Sequence, residues 1–226
     1  MAERALGLCR SLSEPAPLLE ARILEHLGSI NVRNHAYDIA IAYYKRALDA
    51  AGSIRDLRRL ARINHGLGVA HDGRGDHDRA VEFVRKALVL YGQEGDMVSL
   101  ARAENELGLL LMRSGRLQRA EKLFVTALGR LDSSGTEIGR SHYLLSLGEL
   151  YLTAGRVAEA IPIIRDAIER AGRLNERLAK STGHHLLGEA MERLGDPAAA
   201  DDEYHLALDL LRNDGVDARL IEVHIS

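Results

Sequence analysis

The chain repeats itself with a period of 40 residues. The dipeptide Leu-Gly marks the register, and alanines follow twelve and nineteen residues after each glycine. The Leu-Gly pairs end at Gly28, Gly68, Gly108, Gly148 and Gly188, and the alanines are Ala40, Ala80, Ala120, Ala160 and Ala200, then Ala47, Ala87, Ala127, Ala167 and Ala207. Self-similarity at a fixed period indicates a repeat architecture, in which each unit packs on its neighbours.

Each repeat has the pattern of two short helices joined by a tight turn. In the third repeat, apolar residues follow helical spacing from Ala103 to Leu111 and again from Leu117 to Leu131, and Gly115 separates the two runs. A glycine at such a break is typical of a helix C-terminus. It recurs at Gly75, Gly155 and Gly195, whereas the first repeat carries His35. The sequence therefore predicts an all-α fold of helix A, turn, helix B units, with no strands.

The recurring small residues predict close packing between helices. Glycine in the Leu-Gly pair and the two alanines of helix B let neighbouring backbones approach closely. Larger apolar residues are expected to fill the remaining space, at Tyr44, Val84, Phe124, Ile164 and Tyr204.

One domain of five repeats accounts for most of the chain, with boundaries at 21–60, 61–100, 101–140, 141–180 and 181–215. Residues 3–12 resemble the end of a helix B, and residues 216–226 resemble the start of a truncated helix A. We therefore expect the chain to be a fragment of a longer protein. The alternative is a natural chain with a degenerate half-repeat at each end.

The pattern L-G…A-x3-F…A over residues 21–212 resembles the tetratricopeptide repeat (TPR) family. The resemblance implies a right-handed α-α superhelix of five units with a half-repeat at each end. The chain departs from the family at its aromatic positions, since Leu24, Asn64, Glu104, Leu144 and His184 stand where tryptophan is common. The 40-residue period is similar to a longer-helix branch, found in Pins-type adaptors and in sensor segments of bacterial regulators.

Composition excludes several classes of protein. Thirty basic against 33 acidic side chains give a net charge of −3, which is untypical of a nucleic-acid-binding domain. The single cysteine, Cys9, cannot form a disulfide scaffold. No apolar run is long enough for a membrane span or a signal sequence. We expect a cytoplasmic protein that binds neither nucleic acid nor membrane.

The resemblance implies that helix A lines a concave groove with positions 2, 5, 6, 9, 12 and 13 of each repeat. Arginines at position 2 form a ladder in the first three repeats, and acidic residues, Glu192 and Glu222 among them, gather toward the other end. The candidate groove residues are Arg22, Arg62, His65, Arg102, Asn105, Leu109, Arg113, His142, Glu149, His185 and Glu189.

Arginine suits carboxylate recognition because its planar fork donates paired hydrogen bonds. The hypothesis is an extended or helical peptide in the groove, with its acidic part toward repeats 1–3. Asn105 and Asn64 would hold its backbone amides. The alternative is a solvated face, neutralised by internal pairs such as Arg102 with Glu106.

No pattern indicates catalysis or a resident cofactor. His185 and Glu189 share a helix face, but a zinc site needs three or four ligands and the sequence offers no evident third. His184 occupies a core position and is expected to be packed. No phosphate loop or nucleophile elbow is present.

The sequence thus favours a non-catalytic protein-interaction module, part of a bacterial signalling or regulatory protein, that binds a protein or peptide. The alternative is a sensory or dimerisation domain that controls a separate output domain, such as a DNA-binding domain, a cyclic-dinucleotide synthase or a kinase. Self-association through exposed ends is a third interpretation.

Overall fold

The computed structural model describes residues 17–137 and 139–212 of the 226-residue chain. These residues form ten α-helices and no strand. The helices are α1 (Pro17–Arg33), α2 (Tyr37–Ile54), α3 (Leu57–Gly73), α4 (His77–Glu94), α5 (Met97–Arg113), α6 (Leu117–Ser134), α7 (Arg140–Thr153), α8 (Val157–Arg173), α9 (Arg177–Leu194) and α10 (Pro197–Arg212). The predicted all-α fold of helical hairpins is confirmed, and the expected half-repeats at 3–12 and 216–226 lie outside the described residues.

The odd-numbered helices are the A members of the hairpins and the even-numbered helices are the B members. Each A helix begins between one and four residues before the repeat boundary that the Leu-Gly register suggests. The boundaries at 21, 61, 101, 141 and 181 therefore fall near the start of helix A rather than in the preceding turn.

The turns within the hairpins confirm the predicted left-handed break. Gly75 has φ of 85°, and the recurring glycines at the same position of later repeats also have positive φ. His35 adopts φ of 55° at the equivalent position of the first repeat, and its Nδ1 lies 2.8 Å from the Tyr37 hydroxyl. A second left-handed position closes the B helices of the first four repeats, at Arg55, Gly95, Gly135 and Asn175.

The chain divides into two compact units, residues 1–110 and 111–226, with the division inside α5. In the first unit α1 packs on α2 and α3, and α3 packs on α4. Its fully buried side chains include Leu24, Ile63, Leu67 and Tyr91.

The second unit repeats this arrangement on its own. Helix α7 packs on α6, α8 and α9, and α9 packs on α8 and α10. Its fully buried side chains include Phe124, Leu131, Leu150 and Ile164. None of the described helices combines the length and the apolar character needed to cross a membrane.

The predicted close approach of helices A and B at the Leu-Gly glycine is present in both units, and there the glycine meets the bulky residue of helix B. A Cβ placed on Gly68 would lie 2.4 Å from Val84 Cγ2, and one on Gly148 would lie 2.6 Å from Ile164 Cγ1. Such distances are far below ordinary van der Waals contact, so only glycine allows the A and B helices to lie this close.

Candidate functional site

A cavity of about 430 Å³ opens on the A helices of the first unit. It is bounded by the later part of α1, the central part of α3 and the segment of α5 from residue 102 to 106. Its lining residues are Glu25, Ser29, Val32, Arg33, Tyr44, Arg62, His65, Gly66, Val69, Arg102 and Glu106. All except Tyr44 occupy repeat positions that the resemblance assigns to the inner face.

Tyr44 reaches the cavity from helix α2 through a slot between two glycines. Cβ atoms on Gly28 and Gly66 would lie 2.7 Å and 2.4 Å from its ring carbons. The ring is buried, and its hydroxyl lies 3.1 Å from Ser29 Oγ. Burial raises the pKa of Tyr44, so the cavity presents a neutral hydroxyl there. From the sequence, Tyr44 was predicted only to fill space between helices. Gly66, the second glycine that borders its ring, was the sequence feature that could have indicated the slot.

Glu25 is a buried carboxylate on the wall of this cavity. It accepts hydrogen bonds from Arg59 Nη1 at 2.5 Å, and Arg62 Nη2 lies 2.6 Å from its other oxygen. Arg59 also donates from Nε to Asp56, the residue that caps the N-terminus of α3, at 3.1 Å. Arg62 is therefore engaged inside the protein, as the alternative of internal neutralisation predicts.

His65 is a neutral side chain at the base of the cavity. Burial, and secondarily the charge of Arg102, lower its pKa to about 4. Its ring meets that of Tyr91 edge to face, with centroids 6.3 Å apart. At neutral pH the imidazole has one donor and one acceptor nitrogen and carries no charge.

Arg33 and Arg102 complete the cationic lining. Arg102 lies beside the Tyr91 hydroxyl, and Arg33 lies near that of Tyr44. Glu106, four residues after Arg102 on α5, lines the same cavity, as does Glu25 on α1. The cavity therefore offers a ligand three arginines, of which Arg62 is bound to Glu25.

Arg22, expected in the same ladder, does not line the cavity. The cavity begins at Glu25 on α1, one turn later, so Arg22 stays on the exposed start of that helix. Arg33 takes its place in the lining. Arg33 stands at inner position 13 of the first repeat, but the candidate residues did not include it.

The expected peptide-holding asparagines are buried instead. Asn64 Nδ2 donates to the Leu60 carbonyl at 2.7 Å, which commits its amide to its own helix. Asn105 is buried and is not part of the lining, and its Oδ1 has no hydrogen-bond partner among the described residues. Leu109, one turn further on α5, is half-buried. These positions contribute to packing around the cavity and not to its wall.

The second unit brings together acidic and basic candidates on α7 and α9. His185 Nε2 lies 3.2 Å from Glu189 Oε1, and Arg193 Nη2 lies 3.8 Å from the other oxygen of Glu189. Glu149 is exposed at the surface, yet desolvation by its neighbours and the charge of Glu189 raise its pKa, while Arg113 opposes the rise. His142 is exposed near the start of α7. Glu189 is thus paired with side chains of its own helix, whereas Arg113, which acts on Glu149, lies on α5.

The adjacent histidine is packed, as expected. His184 Nδ1 lies 2.7 Å from Glu203 Oε2, and the His184 side chain is only 12% exposed. Among the described residues, no group of three or more His, Cys, Asp and Glu side chains is placed to hold a metal ion.

Comparison with known proteins assigns the repeats to a family. Two tetratricopeptide-repeat sequence profiles match, one over residues 19–92 and 99–173 and the other over residues 182–205. A search of curated proteins finds no match.

Solved structures are similar in fold. BtubC (BKLC) from P. vanneervenii has 22% sequence identity and a TM-score of 0.80, over 95% of this chain and 89% of that chain. The Rap conjugation gene regulator of the plasmid pLS20, in complex with the Phr* peptide, has 20% identity and a TM-score of 0.74, over 92% of this chain and 61% of that chain.

Aspartyl phosphate phosphatase F from Bacillus subtilis has 16% identity and a TM-score of 0.78, over 93% of this chain and 55% of that chain. Sequence identities this low support a shared fold and do not assign functional residues to this chain. The sequence profiles cover well over half of the chain. The chain therefore belongs to the tetratricopeptide-repeat family.

Proposed function

We propose that this protein is a non-catalytic interaction module, and that the cavity of its first unit binds an acidic segment of a partner peptide. The observation that carries the proposal is the presence of three arginines, Arg33, Arg62 and Arg102, in the lining of one cavity. Guanidinium groups bind carboxylates through paired, charge-assisted hydrogen bonds. An acidic side chain is the ligand group that complements them.

The rest of the lining favours a mixed apolar and acidic segment. Val32 and Val69 supply aliphatic surface, and the buried Tyr44 ring lies beside them. Ser29, the Tyr44 hydroxyl and neutral His65 supply hydrogen-bonding groups without adding charge. The expected occupant is a peptide in which an aliphatic residue stands next to aspartate or glutamate.

A peptide partner and a bacterial regulatory context are also supported by the structural neighbours. The pLS20 Rap protein is described as a conjugation gene regulator in complex with a peptide, and a second Rap protein is complexed with competence and sporulation factor. The names of these neighbours favour the second candidate function as well, a sensory domain in a regulator. In that case the same cavity would receive a signalling peptide.

The experiment is a selection from a random 12-residue peptide library on the immobilised protein. Recovered peptides are labelled with fluorescein, and affinity is measured by fluorescence anisotropy. Each is compared with a counterpart in which Asp and Glu become Asn and Gln. We expect acidic peptides to dominate, and the amide counterparts to bind about tenfold or more weakly, the difference between a charge-assisted and a neutral hydrogen bond.

The variant Arg33→Glu/Arg102→Glu tests the site itself. It should lose the recovered peptides, whereas Arg55→Glu/Arg85→Glu, which makes the same charge change on exposed residues outside the cavity, should retain them. Arg22→Glu should also retain binding, although the ladder hypothesis predicts a loss. Equal losses in both double variants, or a recovered set without acidic residues, would refute the proposal.

A further inference from the structure

One arginine of the cavity, Arg62, already forms an ion pair with a carboxylate of the protein. Arg62 lies in the cavity wall with 48% of its side chain exposed, yet it is bound to Glu25 at 2.6 Å. Arg33 and Arg102 line the same cavity, where Glu106 follows Arg102 by four residues on α5. One of three cations therefore faces the cavity while it is held by an internal carboxylate.

Arg59 has a second carboxylate partner besides Glu25. Arg59 donates from Nε to Asp56 at 3.1 Å in addition to its bond with Glu25. Arg62 Nη2 lies 2.6 Å from the other oxygen of Glu25. Loss of the Glu25 charge would leave Arg59 paired with Asp56 and would release Arg62 from Glu25.

A carboxylate that enters the cavity meets the same donors that Glu25 now occupies. Glu25 is only 4% exposed, so its charge is shielded from solvent and depends on the two arginines for compensation. A ligand carboxylate can take Arg62 only by sharing it with Glu25 or by displacing it. Either outcome weakens binding relative to a free guanidinium.

We infer that Glu25 is an internal competitor for Arg62 that limits the affinity of the cavity for acidic peptides. The inference rests on the proposed function and deepens it, because it assigns Arg62 to the binding site and Glu25 to the control of its strength. The partner is an acidic peptide that binds Arg33 and Arg102 first and gains Arg62 in competition with Glu25.

The variant Glu25→Gln tests this inference, since glutamine keeps the size of the side chain and removes its charge. Its affinity for the fluorescein-labelled acidic peptide recovered on the wild-type protein should rise about five- to tenfold, the effect of one partly exposed arginine–carboxylate bond. Glu82→Gln is the control, because it makes the same charge change at an exposed side chain of α4, where Glu82 pairs with Lys86. It should leave the affinity unchanged.

The variant Arg62→Gln distinguishes competition for Arg62 from a general electrostatic effect of the Glu25 charge. In the Arg62→Gln background, Glu25→Gln should give no gain, because the guanidinium to be released is absent. An equal gain with and without Arg62, or an unchanged affinity in Glu25→Gln, would overturn the inference.

Single-arginine variants give a readout that does not depend on how well Glu25→Gln folds. Arg62→Gln should weaken binding clearly less than Arg102→Gln, because Arg62 is already engaged; equal losses would also overturn the inference. If instead the acidic peptides fail to depend on Arg33 and Arg102, the proposed function fails first. If binding depends on those arginines but is unchanged in Glu25→Gln, the inference is refuted and the proposed function stands.

Discussion

Replacement of Gly68 by alanine probes the close approach of helices α3 and α4. The new Cβ would lie 2.4 Å from Val84 Cγ2 and 3.4 Å from both the Ala80 carbonyl oxygen and the Val84 amide nitrogen. Favourable carbon contacts begin at about 3.5 Å, so the valine methyl must move by about 1 Å. Val84 is fully buried, and valine in a helix holds essentially one rotamer. The helix backbones must therefore separate.

Two opposing effects set the size of the change. Alanine favours the helix over glycine by about 0.8–1.0 kcal/mol. Overpacking of a closed core site destabilises by about 1–3 kcal/mol, and the nearby α4 backbone places Gly68 toward the upper end. We expect Gly68→Ala to lower the free energy of unfolding by about 1–2 kcal/mol.

Gly129→Ala is the matched control. It lies within α6 with no atom within 4 Å of the added Cβ, and should raise the free energy of unfolding by up to about 1 kcal/mol. Urea unfolding followed by far-UV circular dichroism measures both variants. Gly68→Ala combined with Val84→Ala should be less destabilised than the sum of the single changes, because the shortened side chain makes room. Equal stabilisation by both glycine replacements would refute the packing argument.

Three further predictions concern single side chains. Ser181 Oγ donates to the Ala207 carbonyl at 2.9 Å, whereas Ser141, at the same repeat position, is buried with no hydrogen-bond partner among the described residues. In urea unfolding, Ser181→Ala should lose about 1 kcal/mol and Ser141→Ala should lose nothing; equal losses would contradict this. Arg55→Gly should gain about 0.5–1 kcal/mol in thermal unfolding by relieving a left-handed non-glycine residue, and Asn175→Gly should gain less, because asparagine tolerates φ of 56° better. The pKa of His65 falls to about 4 in the folded protein, so the unfolded state binds more protons between about pH 4 and 6.5 and stability falls as the pH is lowered through that window. Between pH 7 and pH 5 the His65 contribution is about 2 kcal/mol, and His65→Gln should show a correspondingly smaller drop in urea midpoint; an unchanged drop would refute it.

Repetition in the sequence was enough to predict the hairpins and their turns. The 40-residue period places a helix break at the same position of every repeat, and the structure has a left-handed residue there even where His35 replaces glycine. The approach of Gly68 to Val84 and of Gly148 to Ile164 follows from the same register. These features depend on contacts within a single hairpin, where residues sixteen apart in sequence meet, as Gly28 and Tyr44 or Gly188 and Tyr204 also do.

The composition of the cavity was decided by the packing of successive hairpins. Position in the repeat assigns Arg22 and Arg62 the same role, yet Arg22 lies outside the cavity and Arg62 lies in its wall. Glu25 meets Arg59 across 34 residues of sequence, on the next A helix. A 40-residue pattern fixes which face of each helix is buried, because burial repeats with the period. It cannot fix which charged side chains meet between neighbouring hairpins, since these differ from repeat to repeat and pair only when the A helices are stacked.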